Sequence, residues 1–320
     1  MPTAQNIPTQ PLISFIITTY NLPVEMLREC FDSIMALSLT REQREIILID
    51  DGSETSPLYG LSTYADDIIY LRQPNSGLSV ARNTGLKLAT GKFIQFVDGD
   101  DSLIQADYEH CVDLIRYHEP VDMVMFFATQ TKNHPVDFSC EGPMTGVNYM
   151  EANNVRAAAW GYVFRKECLG DLRFTQGIFH EDEEFTPQLL LRVKSLYVTK
   201  AKAYYYRKRN GSITHSLSKE NKDKRLGDTL GVILRLKEIA GNCEDNKRVA
   251  LERRVAQLTM DYLVNIIRLT RSHDKLNEAI ATLTGNGLYP LPDKHYTRKY
   301  ALFRRLIQNK AGRVALMTLL

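Results

Sequence analysis

The sequence predicts an α/β fold, a parallel sheet layered with helices, with a helical region at the C-terminal end. Three observations carry this. Apolar runs rich in β-branched residues, LISFIITT (Leu12–Thr19), EIILID (Glu45–Asp50), DIIYL (Asp67–Leu71) and KFIQFV (Lys92–Val97), have the length of strands buried on both faces. Between them lie stretches with helical spacing: VEMLRECFDSIMAL, with Met26, Leu27, Cys30, Ile34 and Leu37 on one face, and LSVARNTGLKLATG, where Gly91 is expected as the C-cap. Strands and helices alternating at these lengths imply right-handed crossovers and a parallel sheet. From about Ser218 the chain is rich in Lys, Arg, Glu and Leu at helical spacing, broken by GNGLYPLPDKH.

Between these regions, from about Val121 to Arg207, shorter elements are expected. VDMVMFFATQ reads as a strand, AAAWGYVFRKECL as a strand running into a helix, EDEEFTPQLLLRV as a helix and SLYVTKAKAYYYRKR as two strands. The boundaries that follow are a tail over residues 1–10, an α/β domain over 11–216 and a helical region over 217–320.

Composition excludes several classes. With 44% hydrophobic and 24% charged residues and a net charge of +2, the chain is an ordinary globular one with no charge excess that points to nucleic acid. Its five cysteines are far apart and form no CxxC pair, which argues against a disulfide framework or zinc site and for a reducing compartment. The N-terminus lacks the pattern of a signal peptide, and no apolar run is long enough to span a bilayer. A cytoplasmic location is expected.

Ligands of open α/β sheets bind outside the carboxyl ends of the strands. Those ends read TTYN (Thr18–Asn21), DDGS (Asp50–Ser53), NSGLSVARN (Asn75–Asn83) and DGDD (Asp98–Asp101). Each has a bland alternative. Thr18 and Asn21 can cap the next helix, and DDGS can be an Asx-turn. One of the DGDD aspartates can cap the helix ADYEHCVDLI. Asp98, Asp100, Ser102 and Glu109 also fall at calcium-loop positions, although Leu103 stands where that loop needs glycine. The haloacid-dehalogenase pattern DxDx[TV] is approached, with Ser102 in its last place. The remaining reading is a hard divalent cation, Mg²⁺ or Mn²⁺, held by Asp98 and Asp100 with positions left open for phosphate oxygens.

ISFIITTYN, ILIDDGS, NSGLSVARNTGL, GKFIQFVDGDD and HEDEEF occur in that order, and together they resemble family 2 glycosyltransferases of the GT-A fold. The resemblance covers roughly Pro11 to His215. It implies a Rossmann-like mixed sheet that binds a nucleotide sugar, with Asp98 and Asp100 at a metal that clamps the diphosphate. It further implies that Asp51 contacts the base, that Thr18 and Tyr20 line base and ribose, and that Arg82 approaches the nucleotide or its phosphates. Asp182, with Glu181 beside it, is implied as the catalytic base of an inverting displacement. TTYN replaces the commoner PTYN, and the QxxRW motif of processive synthases is absent, which points to a non-processive enzyme.

Further candidates come from the residues around these motifs. Arg207, Arg209 and His215 in YYYRKRNGSITHS can close over a diphosphate, or belong to an edge strand with solvated basic residues. Trp160 can stack on an acceptor sugar or pack in the core. His180 reads as a helix-start residue. The reading that results is transfer of a sugar, from a donor read as UDP-linked, to a hydroxyl of a glycan or lipid-linked glycan in cell-surface polysaccharide synthesis. The alternatives are a non-catalytic sugar-nucleotide sensor and a phosphotransfer enzyme. Residues 298–320 hold Arg298, Lys299, Arg304, Arg305, Lys310 and Arg313 interleaved with Leu302, Phe303, Leu306 and Ile307. Such a segment can lie on the anionic inner face of the plasma membrane or pack as an ordinary helix.

Overall fold

The structure is a computed structural model and describes residues 10–209 and 219–320. The chain divides into two compact units. Among the described residues, the first comprises 10–146, 157–177 and 192–209; the second comprises 147–156, 178–191 and 219–320.

The first unit holds all eleven described strands: β1 (Ile13–Thr19), β2 (Arg44–Asp50), β3 (Ile68–Arg72), β4 (Phe93–Asp98), β5 (Ser102–Leu103), β6 (Met123–Met125), β7 (Ala128–Thr129), β8 (Cys140–Met144), β9 (Tyr162–Arg165), β10 (Leu196–Thr199) and β11 (Tyr204–Tyr205). An eight-stranded sheet runs β3-β2-β1-β4-β9-β6-β10-β8, and a three-stranded sheet runs β5-β11-β7. The four predicted strands form its parallel part, with β1 paired to both β2 and β4. Beyond β4 the sheet turns mixed, since β9 runs antiparallel to both β4 and β6. Every residue of β1 is buried, as the continuous apolar run requires.

Helices α1 (Val24–Met35), α2 (Leu78–Leu88) and α3 (Gln105–Tyr117) follow β1, β3 and β5. Leu27, Cys30, Phe31 and Ile34 of α1 join Phe15, Ile17 and Leu48 in one core with Tyr108 and Val112 of α3. The end of α2 corrects the expected cap. The helix stops at Leu88 with an extended Ala89, and Gly91 serves a different purpose. A Cβ on Gly91 would lie 2.7 Å from the Ser14 backbone nitrogen and 2.6 Å from its Oγ, which accepts the Gly91 N–H at 2.8 Å. Tertiary approach, not capping, selects glycine there. Two further elements differ from expectation. VDMVMFFATQ splits into β6 and β7, which lie in different sheets, and a 3-10 turn over Lys166–Cys168 rather than an α-helix follows β9.

The second unit is helical: α4 (Gly146–Ala152, joining it from Val147), α5 (Glu181–Leu190), α6 (Lys219–Gly241), α7 (Asp245–Thr270), α8 (His273–Gly285), α9 (Arg298–Ile307) and α10 (Lys310–Leu319). In α9, Tyr300, Phe303 and Ile307 are buried, Leu302 is exposed and Arg304 pairs with Asp293. The packed-helix reading therefore describes that apolar face. No described helix is long and apolar enough to cross a membrane.

Gly91→Ala should destabilise the protein by about 1–3 kcal/mol through overpacking against the β1 backbone. Chemical denaturation measures this, and a loss below the error of the method would show that β1 can yield.

Candidate active site

The carboxyl ends of β1, β2 and β4 are tied together by their own polar residues. Asp50 accepts the Ser53 N–H at 2.9 Å and the Tyr70 hydroxyl at 2.9 Å, so its carboxylate holds the DDGS turn through a bond three residues on rather than through an Asx-turn. Asp51, only 5% exposed, accepts from Gln73 Nε2 at 2.7 Å, Ser76 N at 3.0 Å and Gly77 N at 2.7 Å. Its carboxylate thus fastens the loop between β3 and α2 to the end of β2. Asn21 does not cap α1. In the left-handed conformation it donates its N–H to Ser53 Oγ at 2.9 Å and accepts Glu54 N at 2.8 Å. Thr18 is buried, and its carbonyl accepts the Gly99 N–H at 3.2 Å. A Cβ on Gly99 would lie 2.9 Å from that same carbonyl, so the turn between Asp98 and Asp100 needs glycine. Tyr20, two residues after Thr18, is 49% exposed.

The acidic cluster is held by arginines and a tyrosine. Arg82, on α2 and 4% exposed, donates Nη2 to Asp98 Oδ1 at 3.0 Å, its guanidinium 5.4 Å from the Phe174 ring centre and 5.9 Å from that of Phe96. Arg209 Nε pairs with Asp100 Oδ2. Arg207 donates its N–H to Asp101 Oδ1 at 2.7 Å and Nε to the Asp100 carbonyl at 2.9 Å, and its Nη2 reaches Glu29 at 2.5 Å. The buried Tyr204 hydroxyl accepts the Asp98 N–H at 3.0 Å. Asp101 is 2% exposed; burial, then the charges of Asp98 and Asp100, push its carboxyl up to about 8 against the Arg207 N–H and Tyr204 hydroxyl bonds that favour the charged form.

This geometry decides several of the alternatives. No Asp caps α3, whose N-cap is Ile104 without a side-chain bond. Glu109, needed by a calcium loop, instead bonds Ser38 through its N–H and, at 2.7 Å, its hydroxyl. Trp160, partly buried, stacks on Tyr204 at 4.5 Å and 11° and packs against the core. Arg207 and Arg209 stand beside the acidic turn, and His215 lies outside the described residues. Sequence reasoning gave Asp101 no role of its own within DGDD and passed over Tyr204 and Gln73.

Asp182 and Glu181 belong to the second unit, at the start of α5 behind a left-handed His180 at the N-cap. Asp182 is partly exposed and its Oδ1 accepts the Glu183 N–H at 2.9 Å; Glu181 is 9% exposed. Glu183 pairs with Arg254, and Glu184 is gripped by Arg235 at 2.7–3.1 Å. Within the acidic run, the last two carboxylates are therefore committed to arginines of α7 and α6.

A divalent cation fits Asp98 and Asp100 by chemistry and number. Both are hard carboxylates, both are partly exposed, and they lie at a strand end. No group of three or more His, Cys, Asp or Glu suited to a metal is found among the described residues, so such an ion would rely on phosphate or water for its other positions.

The first unit's mixed sheet defines a class of fold. The chain matches the crystal structure of S. aureus TarS 1–349 in complex with UDP-GlcNAc (TM-score 0.71, 18% identity, 96% of this chain and 88% of that one) and the structure of the mannosyltransferase PcManGT from Pyrobaculum calidifontis in complex with GDP-Man and Mn²⁺ (TM-score 0.57, 15% identity, 97% and 86%). This is the GT-A fold. Residues 14–164 match the family described as Glycosyl transferase family 2. Among curated relatives, the chain is 27% identical over 229 residues to the uncharacterized glycosyltransferase YibD of Escherichia coli (strain K12), covering 66% of this chain and 65% of that one. It is 28% identical over 221 residues to the minor teichoic acid biosynthesis protein GgaB of Bacillus subtilis (strain 168), covering 66% and 24%. The chain thus spans less than two thirds of these relatives' length, and about a quarter of GgaB.

Asp51→Ala strands three donors that the carboxylate now satisfies, so a stability loss of about 1–3 kcal/mol is expected. Denaturant titration reads it, and an unchanged midpoint would mean that water replaces the carboxylate fully.

Proposed function

We propose that the protein transfers a sugar from a nucleotide-diphosphate donor, UDP-linked, to a hydroxyl of a glycan or lipid-linked glycan in the assembly of a cell-surface polymer. The observation that carries this reading is the acidic turn Asp98–Asp101 at the end of β4, ringed by Arg82, Arg207 and Arg209, within a stretch of family 2. The UDP and GDP-mannose complexes among proteins of like fold and the teichoic acid relative support the donor and acceptor classes.

In this reading Asp98 and Asp100 hold a divalent cation. When bound, such an ion stabilises the charge that develops on the departing diphosphate. The chain's own residues do the remainder. Thr18, Tyr20 and Asp51 receive the nucleoside; the Asp51 carboxylate, with three donors already in place, has room for one further hydrogen bond to a base N–H. Arg82 keeps positive charge against the acidic turn, and Arg207 and Arg209 offer guanidinium donors to phosphate oxygens. Asp182 takes the proton of the acceptor hydroxyl as it attacks the anomeric carbon opposite the diphosphate, so one displacement inverts the configuration. A sugar-nucleotide sensor of the same fold would bind the donor without turning it over, and this separates the two readings.

Two measurements test the reading. UDP should raise the melting temperature more with Mn²⁺ than with chelator, because a ligand of the native state raises its stability. Asp100→Asn should remove that increment, whereas equal UDP stabilisation in chelator would overturn the metal site.

Asp182→Asn should lower the release of UDP from UDP-sugars by about two to four orders of magnitude while donor affinity stays within a few-fold. Near-normal turnover in that variant would remove Asp182 from the base role.

A further inference from the structure

Four consecutive carboxylates open α5, yet their surroundings differ. Glu184 is held by a guanidinium fork from Arg235, itself partly exposed. Glu183 is held by Arg254 of α7, which is only 4% exposed and donates Nη1 to the Val155 carbonyl at 3.0 Å. A buried guanidinium is costly unless its neighbours offset its charge. Burial pulls Arg254 down to about 10, opposed by the negative fields of Asp261, then Asp182, then Tyr149. Asp182 therefore lies within the field of a cation that water screens little, and its own Oδ1 holds the N–H of the very residue that pairs with that cation.

We propose that Arg254 is the positioning residue of the acidic helix start. It pins the first turn of α5 through Glu183 and the Val155 carbonyl, and its positive field holds the Asp182 carboxylate in the ionised, proton-accepting form. This rests on the reading of Asp182 as the base. Among the described residues, the charged and titratable groups that act on Arg254 are Asp182 and Glu183 from α5, Asp261 from its own helix and Tyr149 from α4; Arg156 acts on Tyr149, and Lys299 of α9 acts on Asp261. Lysine cannot replace the fork, because a single ammonium lacks the planar geometry that spans a carbonyl and a carboxylate together.

The sign follows from the charge. A cation near a carboxylate favours the ionised form, so removing it raises the pH at which the base becomes protonated. In Arg254→Met, the pH below which turnover fails should move up by about one unit, giving a roughly tenfold loss of kcat on the acid side and little change well above it. Arg254→Lys, which keeps the charge and loses the fork, should lower kcat at all pH values without moving the limb. Glu183→Gln removes a neighbouring negative charge and should move the limb to lower pH. The measurement is the pH profile of UDP release from a UDP-sugar with Mn²⁺, beside a melting curve for each variant. An unmoved limb in Arg254→Met with a lowered melting temperature would make Arg254 a strut and overturn the proposal. If Arg254→Met does not fold, an unmoved limb in Glu183→Gln overturns it instead. Asp182→Asn keeps the outcomes distinct: normal turnover there defeats the base reading itself, whereas an inactive Asp182→Asn with unmoved limbs defeats only the role of Arg254.

Discussion

Carboxylates crowded at the end of a buried strand repel one another, and the loop end of the first unit is arranged around that repulsion. Asp98, Asp100 and Asp101 meet Arg82 from α2 and Arg207 and Arg209 from the segment after β11. The chain thereby brings residues more than a hundred positions apart to one turn. Tyr204 closes it from below, fully buried, stacked on Trp160 and hydrogen-bonded to the Asp98 backbone. Desolvation leaves the most buried carboxylate, Asp101, with a raised affinity for its proton, while the two partly exposed ones pair with Arg82 and Arg209. A site that is to hold phosphate groups benefits from this arrangement, because its positive groups are already in place and need little reorganisation when the ligand arrives.

The second unit repeats the same physics with the opposite partners in the interior. There Arg254 is the buried member of one pair and Glu184 the buried member of the other, and both glutamates reach their arginines from a helix start. A run of acidic residues in a first helical turn is favourable with the macrodipole alone. The dipole, however, treats all four carboxylates alike. Arg235 and Arg254 make them unequal by engaging Glu184 and Glu183 in turn. Removing either arginine would leave a partly buried carboxylate without its counter-charge, which costs more than the pair contributes. These pairs are therefore better understood as fixing geometry than as adding stability.

The parallel part of the sheet was legible because buried strands have a simple signature: an apolar run, rich in β-branched residues, on each of four segments. Both ends of those segments fell within a residue or two of β1, β2, β3 and β4. The short strands β5, β7 and β11 were harder to see, each being two residues whose strand character comes only from pairing with one another. Gly91 shows the same limit from another side. Local chemistry proposes a helix cap there, and only the approach of Ser14 explains why no side chain fits.

What the sequence by itself determined is the class of fold, the order of the polar strand ends and the positions of the acidic runs, since periodicity and motif order are local properties of the chain. Tertiary structure decided which charges face which. That Asp51 fastens the β3–α2 loop, that Arg82 sits against Asp98 and that Arg254 lies buried beside Glu183 are facts of three-dimensional pairing between distant segments. Coulomb energies depend on separation and burial, and neither can be read along the chain.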